Sequence, residues 1–128
     1  MTLPRLIIIA CFVFTLNTCM AGWDDWNEEE RKLFVASNIA LFGDWQTTRD
    51  IARRTLEFRE AGPIAKRFMG EHPTGTSVDL YFLGRFALNY YLADTLTGSN
   101  KSFYLTVTTL SHGAATVHNY NAGLRIKF

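Results

Sequence analysis

Residues 78–96, with the sequence VDLYFLGRFALNYYLADTL, decide the fold of this chain. Only Asp79, Arg85, Asn89 and Asp94 interrupt apolar residues that would surround a helix on every side. A helix that is apolar all round lies inside a protein or in lipid. Arg85 and Asn89 are four residues apart and share one face. We therefore predict a helix whose polar face meets partners in other helices, because an unpaired charge in an apolar setting is strongly unfavourable.

A second helix is predicted before this one, and a third after it. Asn27 followed by three glutamates is a typical helix start, with Glu30 at the third helical position as in a capping box. This helix is predicted over residues 27–54. A polar stripe along residues 102–119 predicts the third helix. The alternation in residues 103–108 is also typical of a strand, so helix and strand both stay open for the last part of the chain.

The connector between the first two helices spans residues 57–77 and contains two of the three prolines. A short helix is expected at residues 64–69, and Ser77 is the predicted N-cap of the central helix. Residues 97–100 are predicted to form a turn. The resulting fold is all-α, with a single helical domain at residues 22–128. It is a small three-helix bundle preceded by a signal-like apolar helix and followed by a short extended tail.

Residues 1–21 have the pattern of a secretory signal peptide. Arg5 supplies a positive charge, an apolar run follows at residues 6–16, and small residues precede Gly22. We predict cleavage between Ala21 and Gly22. The protein is therefore expected to be exported to the cell envelope, in a membrane or in the periplasm.

Two alternatives stay open for this segment. Cys19 follows Leu-Asn-Thr, which could be a lipoprotein signal with a lipidated cysteine. The segment could also remain as an anchor, although its roughly fifteen apolar residues are fewer than the roughly 20 that span a membrane. Both cysteines lie within residues 1–21, so a processed chain cannot form disulfides. A membrane, a partner subunit or good helix packing would have to stabilise so small an exported domain instead.

The charge balance excludes one class of partner. Without Arg5, 12 Lys and Arg residues face 12 Asp and Glu residues. A neutral chain lacks the basic surface that nucleic acid requires. The expected partner is membrane lipid or another envelope protein, and self-association into a homo-oligomer is a further alternative.

The candidate site is a polar network, which we expect because the few charged side chains of apolar helices must find each other. Its predicted members are Asp44, Thr48, Arg49, Glu60, His72, Asp79, Arg85, His112, His118 and Asn119. His112 and His118 are weak candidates for metal binding, since a spacing of six places them apart around a helix. No zinc motif, serine elbow or phosphate loop is evident, so no cofactor is predicted.

Five short motifs together resemble a group of small exported or membrane-associated proteins of Gram-negative bacteria and their phages. These motifs are Asp44-Trp45-x-x-Thr48-Arg49, Glu60-x-x-Pro63-Ile64, His72-Pro73, Val78-Asp79-x-Tyr81-Phe82 and His118-Asn119-x-x-x-Gly123. The resemblance covers about residues 38–128 and implies a helical envelope protein without an established activity. The chain departs from the group at Gly62, where the group usually has Asn, so a binding role of this turn is in doubt.

These observations favour a small cell-envelope protein, associated with or embedded in a membrane, with a structural or binding role. A catalytic role is not favoured. Two alternatives are a metal-assisted hydrolase that uses the carboxylate–histidine cluster and a soluble periplasmic module that binds a protein.

Overall fold

The computed structural model of this protein describes residues 22–127, and all regular secondary structure in that range is helical. A single 3-10 turn, Trp23–Asp25, comes first. The helices are α1 (Glu28–Arg53), α2 (Pro63–Met69), α3 (Gly75–Thr95) and α4 (Gly98–Asn121). The predicted all-α fold with three main helices is confirmed. The predicted signal helix at residues 1–21 lies outside the described residues.

A capping box fixes the start of both α1 and α3. At α1, the Asn27 side chain accepts a bond from the Glu30 N–H (2.9 Å), and the Glu30 carboxylate accepts one from the Asn27 N–H (3.0 Å), as predicted. At α3, Thr74 and Ser77 form the reciprocal pair. The predicted N-cap at Ser77 was therefore wrong. Thr74 is the N-cap and Ser77 is the third helical residue of the capping box, so the helix starts earlier.

The start of α4 also differs from the prediction. Residues 97–100 were expected to form a turn, but the helix begins at Gly98, whose φ of +54° suits glycine. Residues 103–108 are helical throughout, so the strand alternative is excluded. After Gly123 (φ +100°) the chain is irregular, and the Arg125 N–H donates to the Asp50 carboxylate (3.0 Å) at the end of α1.

Helix α1 packs against both α3 and α4, and its contact with α4 is the most extensive in the bundle. Gly43 makes this approach close. A Cβ atom at that position would lie 3.0 Å from both Cγ2 and Oγ1 of Thr116. A glycine inside a helix can mark a kink or a close contact with a neighbour, and Gly43 marks a close contact.

The interior consists of two apolar clusters with polar layers between and beside them. One cluster is built from Leu41, Met69, Val78 and Phe82, and the other from Trp26, Ala93 and Leu105. Buried polar residues are as prominent as buried apolar ones. The buried polar residues include Ser37, Asp44, Thr47, Thr48, Asn89, Lys101, Thr108 and His112. Several of them form hydrogen bonds between helices. The bundle is therefore held together partly by hydrogen bonds inside it.

Candidate functional site

A cavity of about 600 Å³ opens between α1, α3, α4 and the connector around residues 58–65. Its polar lining includes Asp44, Thr48, Arg59, Glu60, Tyr81, Arg85, Ser111, His112, His118 and Asn119. Its apolar walls include Ile51, Phe58, Ile64, Phe82 and Leu124. A cavity of this size, mostly apolar and with a few converging polar groups, is typical of a small-molecule site.

Three side chains form a continuous polar chain at this cavity. His112 Nδ1 lies 2.6 Å from the Asp44 carboxylate, and His112 Nε2 lies 2.9 Å from an Arg85 guanidinium nitrogen. One residue comes from each long helix: Asp44 from α1, Arg85 from α3 and His112 from α4. Thr48, one helical turn after Asp44, donates to the other carboxylate oxygen at 3.3 Å.

The geometry fixes the tautomer of His112. Arginine has only N–H donors, so Nε2 of His112 must accept the bond from Arg85. The proton of the neutral ring is therefore on Nδ1 and is donated to Asp44. The hydrogen-bonded series thus runs from the Asp44 carboxylate through the neutral His112 ring to the Arg85 guanidinium. His112 therefore separates the negative charge of Asp44 from the positive charge of Arg85.

Helix periodicity explains why these groups meet. Arg85 and Asn89 share one face of α3, as the spacing predicted, and Asn89 donates to Ser37 Oγ of α1 at 2.9 Å. This bond and the apolar contacts of Phe82 hold that face against the bundle. Arg85 is consequently directed towards His112.

Glu60 is a second buried carboxylate on the cavity wall. Its Oε1 accepts a bond from the Gly62 N–H at 2.7 Å. Burial raises the pKa of the Glu60 carboxyl, and the nearby Asp44 charge raises it further. Backbone bonds from Gly62 and Ala61 lower the same pKa without cancelling the rise. The turn therefore positions Glu60 even though Gly62 has no side chain.

Three predicted members of the network lie elsewhere. Arg49 and Asp79 form their own ion pair (3.2 Å), and the same Asp79 oxygen accepts a bond from the Trp45 indole N–H (2.9 Å). His72 is exposed in the connector and does not line the cavity. By contrast, Asn119 lines the cavity and also donates to Thr47 Oγ1 at 3.0 Å.

The two histidines considered for metal binding both line the cavity, but they differ in environment. Both ring nitrogens of His112 are engaged by Asp44 and Arg85, while His118 is exposed. Across residues 22–127, no three His, Cys, Asp or Glu side chains are grouped so that they could hold a metal ion.

Sequence reasoning missed one buried charge pair and two cavity residues. Lys101 is buried, lies 3.6 Å from Glu30 and sits over the Trp26 ring at 4.6 Å. Arg59 and Ser111 line the cavity although no pattern singled them out. The only available signal for Lys101 was its isolation at the start of an otherwise uncharged helix.

Comparison with models of known protein families, with curated proteins and with solved structures gives no match for this chain. What can be said about its function therefore depends on its own geometry.

Proposed function

We propose that this protein is a small cell-envelope protein that associates with a membrane through the outer faces of its helices and acts by binding. The observation that carries the proposal is the distribution of side chains over the bundle. Several polar and charged side chains are buried inside the bundle, while many large apolar side chains point outward.

The outward-facing apolar side chains follow helical spacing. On α4 they are Phe103, Val107, Leu110 and Val117; on α1, Val35, Ile39 and Phe42; on α3, Leu80, Leu88 and Tyr91. Phe103 is 72% exposed and Leu110 is 66% exposed. Single exposed apolar residues are common, but recurring stripes on every long helix mark an interaction surface.

Charged residues avoid these stripes and collect at the two ends of the bundle. Residues 33–43 and 102–120 contain no Asp, Glu, Lys or Arg, and residues 80–93 contain only Arg85, which lines the cavity. At 1.5 Å per residue, the uncharged stretches are roughly 15–27 Å long. An outer band of that depth matches a large part of a hydrocarbon core, which is roughly 30 Å thick.

In the part of the chain from residue 22 to residue 127, no helix has both the length and the hydropathy of a membrane-crossing segment. The proposal requires only that the outer stripes contact lipid. The buried polar residues lower the mean hydropathy of each helix without making its outer face polar.

The proposal is tested by fractionating cells that express the full chain. We expect the protein to pellet with membranes after carbonate washing and to need detergent for release. Full release by carbonate would refute membrane association. It would instead support the soluble periplasmic alternative.

A pair of matched variants shows whether the stripes are responsible. Val107→Glu combined with Leu110→Glu places two charges on the outer stripe of α4, and we expect the variant to lose retention. Leu56→Glu is the control, because Leu56 is fully exposed in the connector and lies outside the uncharged band. All variants share the same N-terminal segment, so a difference between them reports on the stripe. Equal retention would show that the stripe does not contact lipid.

A further inference from the structure

The cavity has two charged side chains that do not pair with an opposite charge. Within residues 22–127, no cation lies within 4.0 Å of the Glu60 carboxylate, and no carboxylate lies within 4.0 Å of the Arg85 guanidinium. Both line the same cavity, yet they do not bond to each other. Charges in a protein interior are ordinarily paired.

Glu60 is held in place by the backbone alone. It is only 9% exposed, and it accepts hydrogen bonds from two backbone N–H groups, those of Gly62, which donates to Oε1, and Ala61. Ionised carboxylates accept several bonds, so Oε2 retains capacity for a donor in the cavity. An ammonium group would satisfy that oxygen and neutralise the charge.

Arg85 is held in place by His112 and has donors to spare. One terminal nitrogen donates to His112 Nε2, while Nε is buried and has no hydrogen-bond partner among the described residues. A guanidinium has five N–H donors in a planar fork that suits phosphate and carboxylate. The Asp44 charge is partly satisfied by its own bonds to His112 and Thr48, so it does not occupy this fork.

We propose that the cavity binds a zwitterionic group, a single small molecule or headgroup that carries both a phosphate or carboxylate and an ammonium. Arg85 binds the anionic end and Glu60 binds the ammonium. The apolar walls formed by Phe58, Ile64 and Phe82 contact the carbon atoms of the ligand. Such a group occurs in phosphoethanolamine lipids and in small soluble zwitterions. The lipid source rests on the proposed membrane association, but the recognition chemistry does not.

The test is isothermal titration of the detergent-solubilised full chain with three soluble probes. Glycerophosphoethanolamine has both charges, glycerophosphate has only the anionic group, and ethanolamine has only the ammonium. We expect the zwitterion to bind at least tenfold more tightly than either single-charge probe. This factor is the low end of what one additional charge-assisted hydrogen bond provides. Equal affinity for the three probes, or absence of binding, would overturn the proposal.

Two variants test which side chain binds the ammonium and which binds the anionic group of the zwitterion. Glu60→Gln keeps the shape of the side chain and should weaken zwitterion binding about tenfold to a hundredfold, while glycerophosphate affinity does not fall. Arg85→Gln should weaken zwitterion and glycerophosphate binding alike. Glu28→Gln is the control, since Glu28 is exposed and pairs with Lys32 far from the cavity. If Arg85→Gln does not fold, as judged by helix content, Glu60→Gln alone decides. Unchanged selectivity in that variant would refute the assignment.

A fourth probe, diacyl phosphatidylethanolamine in nanodiscs, shows whether the zwitterionic ligand is a lipid headgroup or a small soluble molecule. Tighter binding than for glycerophosphoethanolamine indicates a lipid ligand, and equal binding indicates a soluble zwitterion. Carbonate fractionation of the wild-type chain, compared with its titration by the soluble probes, separates this inference from the proposed function. Membrane retention without zwitterion selectivity would refute the binding site alone, while selectivity in a carbonate-released protein would refute membrane association alone.

Discussion

Replacing Gly43 by Ala should destabilise the bundle relative to the same change at Gly84. In an isolated helix, alanine is favoured over glycine by about 0.5–1 kcal/mol. Gly84 lies in α3, and a Cβ atom there would have no neighbour within 4 Å. Gly84→Ala should therefore retain the whole gain.

At Gly43 the gain is opposed by a steric clash. The new Cβ would lie 3.0 Å from Cγ2 and from Oγ1 of Thr116, so rotation of the threonine exchanges one close contact for another. Thr116 Oγ1 also bonds to the His112 carbonyl at 2.8 Å, which holds its rotamer. Overpacking of this kind costs about 1–3 kcal/mol. Gly43→Ala should thus be about 1–3 kcal/mol less stable than Gly84→Ala, and between unchanged and about 2.5 kcal/mol less stable than the wild type.

The assay is denaturant unfolding followed by helix content, with both variants in the same mild detergent. Adding Thr116→Ala should remove the clash, so the double variant with Gly43→Ala should recover stability. The coupling energy of that double-mutant cycle is expected to be about 1–3 kcal/mol, close to the steric term. Equal stability of the Gly43→Ala and Gly84→Ala variants, or a coupling energy near zero, would refute the close approach of α1 and α4.

Three further changes test other contacts. Arg85→Leu should destabilise the fold by about 1.5–3 kcal/mol. This loss is smaller than the loss on breaking a buried ion pair, because Arg85 bonds to the neutral His112 ring. A larger loss in denaturant unfolding would indicate that Arg85 bonds directly to a carboxylate. The pKa of Glu60 in the folded protein is above its ordinary value of 4.5, so the stability of the fold should fall as the pH rises from 4.5 to that higher pKa. Glu60→Gln should flatten this decline when the melting temperature is measured against pH. An unchanged slope of melting temperature against pH would contradict the raised pKa of Glu60. Lys101→Met should leave the buried Glu30 without its cation and lower the melting temperature, whereas Lys32→Met, at an exposed pair, should not.

The helices were predictable because their signals are local. The Asn27 capping box and the shared face of Arg85 and Asn89 depend on residues three or four positions apart. Helix starts were less predictable where two overlapping signals competed, as at Thr74 and Ser77. Gly98 was assigned to a turn because an isolated glycine favours turns, and only contacts with the rest of the bundle decide whether a helix begins there.

The sequence predicted which residues belong to the site better than it predicted which of them bond to each other. The sequence placed Asp44, Arg85 and His112 in a polar network, since charged groups on apolar helices need partners. It could not show that His112 lies between the other two, because their order depends on how the three helices are rotated. The pairing of Arg49 with Asp79 is equally non-local.

The proposed contact with lipid would account for both the buried polar groups and the exposed apolar side chains. In water, burying Asp44, Lys101 and Asn89 while exposing Phe103 and other large apolar side chains would forgo much of the hydrophobic contribution to folding. In contact with lipid, apolar outer faces need no burial in the protein, and polar groups are the ones that must turn inward. Stability then depends on close helix packing and internal hydrogen bonds, as at Gly43 and Asn89. The same arrangement leaves Glu60 and Arg85 on the wall of an internal cavity, where a polar ligand group could be bound away from lipid.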